Sequence, residues 1–526
     1  MKDSFFRSMT WLHTWVGLLA IWLLLLIFFA GTISFFRHEI TLWSQPGFHR
    51  SINPELPQQS QRTQLEHSLA RLQQQAPHAA SWSISPATTR QPFLYESYRL
   101  PAASGERRGK QVETYYDASA LDTALTYQDS KGGNFFYRLH FDLHYLDVIT
   151  ARWLVCLASL FMLVALISGI VIHKRIFKDM FQLRGGKGVR TWLDAHNVSS
   201  VLALPFHLMI TYTGLITLIF MLFPYPALTQ FNGDFRAFFE AQNPTRAVTK
   251  ASGEAVAMLP APALLDQVYT RWPEVTLTRV ILENPNDRNA VLKVYASNGT
   301  QIQDEKPVLK LSAVDGTLIA AANEQLSGGE TFYDAMNALH AGRMAEPLLR
   351  WLFFGCGLLG CAMLASGAVM WAKRIRERMK TADSASFGLQ LVESLNLATI
   401  MGLPLACCAF FYANRLLPST VAGRSEKEIL AFFLTWLACI IVASKRKDTT
   451  QWRRFALLNA CCWALLPLVS ALQIDTNLIN AFMSGKTLLW AFDVVCFITA
   501  AVFGYQALHL RKHQLRTAWQ LQTVRA

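Results

Sequence analysis

The stretch WLDAHNVSSVLALPFHLMITYTGL, residues 192–215, passes from a polar beginning into an apolar run and carries two histidines, His196 and His207. They lie eleven residues apart. On a continuous α-helix this spacing is about 1100° of rotation, roughly 20° from three full turns, and a rise of about 16 Å. It predicts both imidazoles on one face of a membrane-spanning helix. Ionisable side chains at membrane depth are costly and mark pathways or ligand sites.

The whole chain has the composition of a protein that crosses a membrane several times. Apolar residues make up 52% of its 526 residues and charged residues only 16%. Runs of about 20 apolar residues can span a bilayer, and eight are present. They are residues 13–36, 150–173, 199–223, 348–371, 391–413, 428–444, 454–472 and 486–508. The first is too long for a signal peptide and predicts an uncleaved anchor.

The net charge of +13 is arranged in a way that argues against nucleic-acid binding. Lysine and arginine cluster before the first span, in residues 174–190, 373–380 and 445–454, and after the last span. Eight spans place all of these clusters on one side of the membrane. The positive-inside rule makes that side cytoplasmic, with both termini inside. The charge therefore indicates topology, and membrane lipid is the expected surroundings.

Two long segments between spans alternate polar and strand-like runs. QLEHSLARLQQQAP favours a helix, and PFLYESYRL and QVETYYD favour strands. The second segment repeats the order with PALLDQVYTRWPE, then TLTRVILEN, AVLKVYAS and PVLKLSAVDG. The pattern predicts a membrane all-α bundle with two small α+β domains outside the membrane. The predicted boundaries are 1–36, 37–149, 150–223, 224–347, 348–371, 372–390, 391–508 and a cytoplasmic tail, 509–526.

The core of the chain is duplicated. Residues 12–31 align without gaps to 195–214, which places His13 on His196, and RWLVCLASLFMLVALISG aligns to RWLFFGCGLLGCAMLASG. Just upstream of these last two runs, His144 stands opposite His340, with a two-residue difference in length. Span, domain and span therefore occur twice, and four further spans follow. Duplicated membrane proteins place functional sites where the halves meet.

Histidines concentrate in the duplicated part and fall into layers. The cytoplasmic layer has His13, His173 and His196, and the exported layer has His140, His144 and His340, with His207 between them. Neutral imidazole ligates transition metals, and a haem between helices needs two axial histidines. Two stacked b-type haems would carry electrons across the membrane. The chain has no CxxCH for c-type haem.

No part of the sequence indicates a nucleotide- or flavin-binding domain. GCGLLG, residues 355–360, matches GxGxxG but lies inside an apolar span without a preceding strand. Electrons would therefore come from a quinol or from a reductase protein.

Small residues and arginines accompany the histidines. Ala-Gly, Ser-Gly or Thr-Gly pairs end at residues 31, 169, 214 and 367, where they fit either ordinary helix packing or a flat macrocycle. Arginines near the exported surface could pair with haem propionates or with another anionic ligand, or they could simply snorkel to the membrane interface. They are Arg138, Arg152, Arg343 and Arg350.

Residues 169–215, GIVIHKRIFKDMFQLRGGKGVRTWLDAHNVSSVLALPFHLMITYTGL, resemble the signature of the PepSY-associated transmembrane family of bacterial inner-membrane proteins. WLHTWVGLL near the beginning and the two exported segments, which resemble PepSY modules, extend the likeness over roughly residues 7–375. The resemblance implies an iron-regulated protein of siderophore-iron utilisation. The best understood type is a haem-containing reductase that converts ferric siderophore to ferrous iron in the periplasm.

The resemblance also implies which histidines matter. His13, His173, His196 and His207 are family positions, and His144 and His340 are the implied ligands on the exported side. Depth alone pairs His144 with His340 and His13 with His196. His173 and His207 are competing partners, and His140 could replace His144 because it lies one helical turn away.

Two other functions compete with a ferric-siderophore reductase that holds two b haems. The repeats also fit a transporter of siderophore or metal, although the first four spans contain few acidic residues for ion coupling. A haem-free regulator could instead bind an envelope partner through its PepSY-like domains.

Overall fold

The computed structural model describes residues 2–52, 58–106, 108–173, 176, 178, 181–186, 188–299, 301–324, 326–379, 386–474 and 478–525. Its helices in chain order are α1 (Lys2–Ser34), α2 (Arg37–Trp43), α3 (Gln61–Gln75), α4 (Gly133–Asp142), α5 (Val148–Ile172), α6 (Val189–Leu202), α7 (Leu204–Thr217), α8 (Ile219–Leu222), α9 (Tyr225–Gln230), α10 (Phe235–Gln242), α11 (Ala261–Arg271), α12 (Gly328–Ala341), α13 (Pro347–Arg378), α14 (Phe387–Ile400), α15 (Gly402–Leu416), α16 (Arg424–Lys445), α17 (Thr449–Gln473), α18 (Leu478–Met483) and α19 (Thr487–Arg525).

The strands in chain order are β1 (Ser81–Ser85), β2 (Phe93–Arg99), β3 (Gln111–Asp117), β4 (Leu277–Glu283), β5 (Val291–Ala296), β6 (Val308–Ser312) and β7 (Leu318–Ala322). Two 3₁₀ helices cover Pro46–Ser51 and Pro244–Arg246.

Internal contacts divide the chain into two units. The membrane unit comprises Met1–Pro46, Asp129–Leu215 and Pro347–Ala526. The sheet unit comprises Gly47–Gln128 and Ile216–Glu346.

Long apolar helices make up the membrane unit. Within the described residues, seven helical segments are long and apolar enough to cross a bilayer, and a bent pair of helices raises the number to eight. This confirms the prediction of a multi-pass helical membrane protein. Of the basic residues that predict its orientation, Lys174, Arg175, Lys187 and Lys380 lie outside the described residues. The cytoplasmic location of the termini stays a prediction.

The third predicted span, 199–223, is not one straight helix. α6 and α7 meet at Ala203 with a bend of 69°. Pro205 explains the break, since its ring has no N–H to donate to the carbonyl of Val201 and clashes with it. The helical ladder resumes where the backbone N–H of His207 donates to Ala203 O at 2.8 Å. The expectation that His196 and His207 share one face of a continuous helix was therefore wrong.

The sheet unit contains the predicted helices and strands in a different arrangement. The sequence predicts two small domains, but all seven strands form one sheet in the order β3-β2-β1-β4-β5-β6-β7. Every neighbouring pair is antiparallel. The first segment joins the second where β1 pairs with β4, with Ser81 opposite Glu283. Neither β1 nor β7 was among the predicted strands.

One hydrophobic core serves both segments of the sheet unit. Trp82 and Leu94 from the first segment are buried in the same cluster as Leu292 and Leu309 from the second. Helices α3 and α11 contribute Leu65 and other leucines to this cluster. A lone three-stranded sheet buries little apolar surface, so the shared core explains why the two segments join.

Candidate functional site

Two histidines at equivalent positions of the repeat make the same contact in the membrane unit. The Nδ1–H of His13, on α1, donates to Ala165 O of α5 at 2.9 Å. The Nδ1–H of His196, on α6, donates to Met363 O of α13 at 2.8 Å. A carbonyl oxygen only accepts, so each bond places the proton on Nδ1 and leaves the Nε2 lone pair for a ligand.

A glycine four residues after each carbonyl leaves room for the imidazole to reach that carbonyl. A Cβ at Gly169 would lie 3.2 Å from His13 Cε1, and one at Gly367 would lie 3.1 Å from His196 Nδ1. In a helix the carbonyl of residue i accepts the N–H of residue i+4. A glycine at i+4 therefore exposes the second lone pair of that carbonyl to the imidazole.

Serine side chains also contact both carbonyls. Ser168 Oγ donates mainly to Val164 O at 2.7 Å and more weakly to Ala165 O at 3.1 Å. Ser366 Oγ likewise donates mainly to Ala362 O at 2.6 Å and more weakly to Met363 O at 3.0 Å. The sequence suggested that the Ser-Gly pairs allow close helix packing or admit a flat macrocycle. In the structure they also surround a histidine side chain. The glycine admits the imidazole, and the serine hydroxyl competes weakly with that imidazole for the same carbonyl oxygen.

The structure brings His13 and His196 together. Their ring centroids lie 6.2 Å apart, with the ring planes at 72°. Both residues belong to the membrane unit, and their rings are oriented by different helices, α5 and α13.

His140 repeats the same geometry on a different helix. It lies in the last turn of α4, and its Nδ1–H donates to Ile27 O of α1 at 2.8 Å. A Cβ at Gly31, four residues after Ile27, would lie 2.7 Å from the imidazole.

His144 has different surroundings. It follows the left-handed C-cap of α4 and has a positive φ of 58°. Its ring stacks on Phe433 with a centroid distance of 5.8 Å, and its Nε2 lies 3.6 Å from Glu426 Oε2. His140, the alternative from the sequence, therefore has the ligand-like geometry at this end of the membrane unit.

His207 is fully buried beside α13. Its Nε2–H donates to Cys356 O at 3.3 Å, and a Cβ at Gly360 would lie 3.3 Å from that nitrogen. Within the described residues, its Nδ1 has no hydrogen-bond partner. The contact of His207 uses Nε2, whereas those of His13 and His196 use Nδ1.

The remaining predicted histidines lie elsewhere. His173 is the C-cap residue of α5, where its backbone N–H donates to Gly169 O at 3.1 Å. His340 lies in the last turn of α12, in the sheet unit, so its pairing with the histidines of the membrane unit stays a prediction.

All four arginines that were considered for an anionic ligand pair with protein carboxylates. Arg138 and Arg152 lie 2.7 Å and 3.0 Å from the two oxygens of Asp142. Arg350 lies 3.0 Å from Glu39, and Arg343 pairs with Asp304 in the sheet unit. Arg138 and Arg152 share the one carboxylate of Asp142, whereas Arg343 and Arg350 each have a carboxylate of their own.

Sequence reasoning missed a buried polar cluster in the four appended spans. Arg424 and Glu428, one turn apart on α16, form an ion pair and are both fully buried. Buried Asn414 and Arg415 lie nearby on α15. Glu428 at the first residue of the predicted span 428–444 was the available signal, whereas the other three residues lie just outside the predicted spans.

A metal site made of protein side chains alone is not evident. Among the residues that the structure describes, no three histidine, cysteine or acidic side chains form a group suited to a metal ion. Pairs of imidazoles are what the described site offers.

Comparison with known proteins covers the same part of the chain. The model of the PepSY-associated TM region matches residues 10–374, which include the whole duplicated core. An uncharacterized protein of Pseudomonas aeruginosa is 24% identical over 312 residues, which cover 56% of this chain and 75% of that protein. Because the family model spans well over half of its length, the chain belongs to the PepSY-associated TM family.

Proposed function

We propose that the protein binds b-type haem in its membrane unit and passes electrons across the bacterial inner membrane to ferric siderophores. The arrangement of His13 and His196 carries the proposal. These two residues would hold the haem iron, since their imidazole centroids lie 6.2 Å apart and each ring is oriented by a carbonyl of a different helix.

The chemistry of the donors fits haem iron. His13 and His196 are each held as the Nδ1–H tautomer by a helix carbonyl, which orients the ring and makes Nε2 more basic. Haem, when bound, supplies one-electron redox chemistry. The protein supplies the ligands, their orientation and an apolar surrounding.

A second haem would use His140, whose Nδ1–H is held in the same way. We infer that His144 is a packing residue, because an acidic side chain and Phe433 occupy its surroundings.

Reduction of the iron held by the siderophore has a clear purpose. Siderophores hold Fe(III) with hard oxygen donors, and the softer Fe(II) is held less tightly and released. An electron donor on the cytoplasmic side, a quinol or a reductase protein, would refill the haems. The sheet unit would hold the chelate on the periplasmic side.

The decisive experiment is anaerobic reoxidation of the purified, dithionite-reduced protein. A Soret band and a sharp α band in the reduced protein establish haem, and loss of the α band on adding a ferric siderophore establishes electron transfer. A ferrous-iron indicator should report one Fe(II) per electron. The gallium(III) form of the same siderophore, which has no accessible redox step, is the control.

A colourless preparation would refute the haem. Haem that stays reduced in the presence of hydroxamate, catecholate and carboxylate ferric chelates would refute the substrate.

A further inference from the structure

The buried cluster of the appended spans includes residues from outside those spans. We name it the α16 network, formed by Asp129, Ser130, Asn414, Arg424 and Glu428. Glu428 is paired with Arg424, and Asn414 Nδ2 donates to Glu428 Oε1 at 2.9 Å. A buried ion pair contributes little net stability, whereas breaking one by removing a partner leaves an uncompensated buried charge and is strongly destabilising.

The network reaches the segment that leads into α4. Ser130 Oγ donates to Glu428 Oε2 at 2.6 Å, and Asn414 Nδ2 donates to Ser130 Oγ at 3.2 Å. Arg424 donates to Asp129 O at 3.2 Å. These charged groups therefore fix the chain three residues before α4 begins.

Aromatic side chains continue the contact along α4. Phe135 stacks on Phe410 of α15 with centroids 5.1 Å apart and meets Phe432 of α16 at 5.2 Å. Phe136 meets Phe411 of α15 at 5.8 Å. All five rings belong to one buried cluster.

The end of α4 is also held by α16. His144, two residues after the helix, stacks on Phe433 and lies near Glu426. Contacts with α15 and α16 thus extend from before the first residue of α4 to beyond its last.

α4 also rests on α1 and α2. A Cβ at Gly133 would lie 2.1 Å from Arg37 O, so the beginning of α4 touches the backbone near α2. The imidazole of His140 rests on Gly31 of α1. α4 therefore lies between the duplicated core and the appended spans.

We propose that the appended spans position α4, and that Glu428 and Ser130 are positioning residues that act through it on His140. The inference rests on the proposed function, since it assigns His140 to haem. It gives spans five and six, through α15 and α16, a purpose: they hold a proposed ligand that comes from a short helix outside the long spans.

The test compares Ser130→Ala and Glu428→Gln with Glu393→Gln as the matched control. Glu393, on α14, pairs with Arg376 of α13, so this ion pair joins the appended spans to the duplicated core without including α4. Ser130→Ala keeps the Arg424–Glu428 pair, so it remains informative if Glu428→Gln does not fold. Two measurements are made on the full-length protein: hydrogen exchange of residues 133–142 and a redox titration of the haems.

Loss of one hydrogen bond to a charged group should raise the exchange rates of α4 by about tenfold. The haem at His140 should change its midpoint potential or be lost, while the haem at His13 and His196 keeps its potential. Glu393→Gln should leave both measurements at wild-type values.

A failure of this inference can be distinguished from a failure of the proposed function. Unchanged exchange and potentials in both variants would overturn this inference and leave the proposed function intact. A haem-free wild-type protein would overturn the proposed function and the assignment of His140, whereas the exchange rates would still decide whether the appended spans hold α4.

Discussion

The imidazoles of His13 and His196 come within a centroid distance of 6.2 Å although 183 residues separate them in the chain. Each ring is fixed by a carbonyl of a neighbouring helix, and the two carbonyls occupy equivalent positions of the repeat. The two halves of the duplicated core thus each contribute one oriented imidazole to a shared place in the membrane unit. Sites between duplicated halves are common in membrane proteins.

Removing either imidazole should remove one haem. His13→Ala and His196→Ala are each expected to lower the haem content by about half, because a haem that has lost one of its two protein ligands binds weakly. Haem per protein, measured as the pyridine complex, checks this. His78→Ala, an exposed position in the sheet unit, is the control and should keep full haem content. Wild-type content in both His variants would contradict the pairing.

The glycines beneath the histidines should tolerate no side chain. Gly31→Ala places a methyl group 2.7 Å from the His140 ring, which must move away from Ile27. The expected result is loss or a shifted spectrum of the haem at His140, with the other haem unchanged.

Gly17→Ala on the same helix is the matched control, because a Cβ there meets nothing within 4 Å. It should preserve both haems, and since alanine favours a helix by about 1 kcal/mol over glycine it should not destabilise α1. Equal behaviour of the two variants would show that the close approach at Gly31 is unimportant.

The sheet unit contains a carboxylate whose hydrogen bonds predict a pH dependence. Burial by itself raises the pKa of Asp287. Hydrogen bonds from Ser252, Gly253 and Asn289 outweigh burial and lower the pKa from 3.8 to about 2. A folded-state pKa below the unfolded value stabilises the fold above pH 3.8, and this contribution is lost as the pH falls toward about 2.

Asp287→Asn should therefore destabilise the sheet unit by about 1.5–3 kcal/mol at pH 7, the range for hydrogen bonds to a charged group. Faster hydrogen exchange of the strands at pH 7 would measure it, and the difference from wild type should shrink below pH 3.8. Asp122→Asn, at a side chain that is 87% exposed, should have no such effect. A constant difference at every pH would exclude the charge as the cause.

Much of the architecture follows from local patterns in the sequence. Apolar run length predicts the spans because a bilayer demands about 20 apolar residues, and the repeat aligned His13 with His196 correctly. The bend at Ala203 also has a local cause in Pro205, and the rotation argument failed because it assumed an uninterrupted helix.

Long-range contacts could not be predicted from a single sequence. Nothing local shows that β1 pairs with β4, because edge strands can pair with many partners. The choice between His140 and His144 depends on where α4 ends, at a left-handed Leu143 that has no glycine or proline signal. The contacts of Glu428 with Ser130 join residues that lie 298 positions apart.

The serines beside the glycines should tune the haem potential. Ser168 Oγ donates mainly to Val164 O at 2.7 Å and more weakly, at 3.1 Å, to Ala165 O, the carbonyl that also accepts the Nδ1–H of His13. Without the serine bond the carbonyl accepts more strongly from the imidazole, which then donates more electron density to iron and favours the ferric state. Ser168→Ala should therefore lower the midpoint potential of the haem at His13 by at most about 40 mV, the one-electron equivalent of about 1 kcal/mol.

Ser366→Ala, the equivalent position for His196, should lower the same potential by a similar amount, since both histidines would serve one haem. The double variant should show roughly the sum of the two shifts, because the carbonyls lie on different helices and share no partner. Ser199→Ala, whose hydroxyl donates to Ala195 O and His196 O in its own helix, is the control and should leave the potential unchanged. If Ser168→Ala and Ser366→Ala shifted the potentials of two different haems in a spectroelectrochemical titration, His13 and His196 could not be ligands of the same iron.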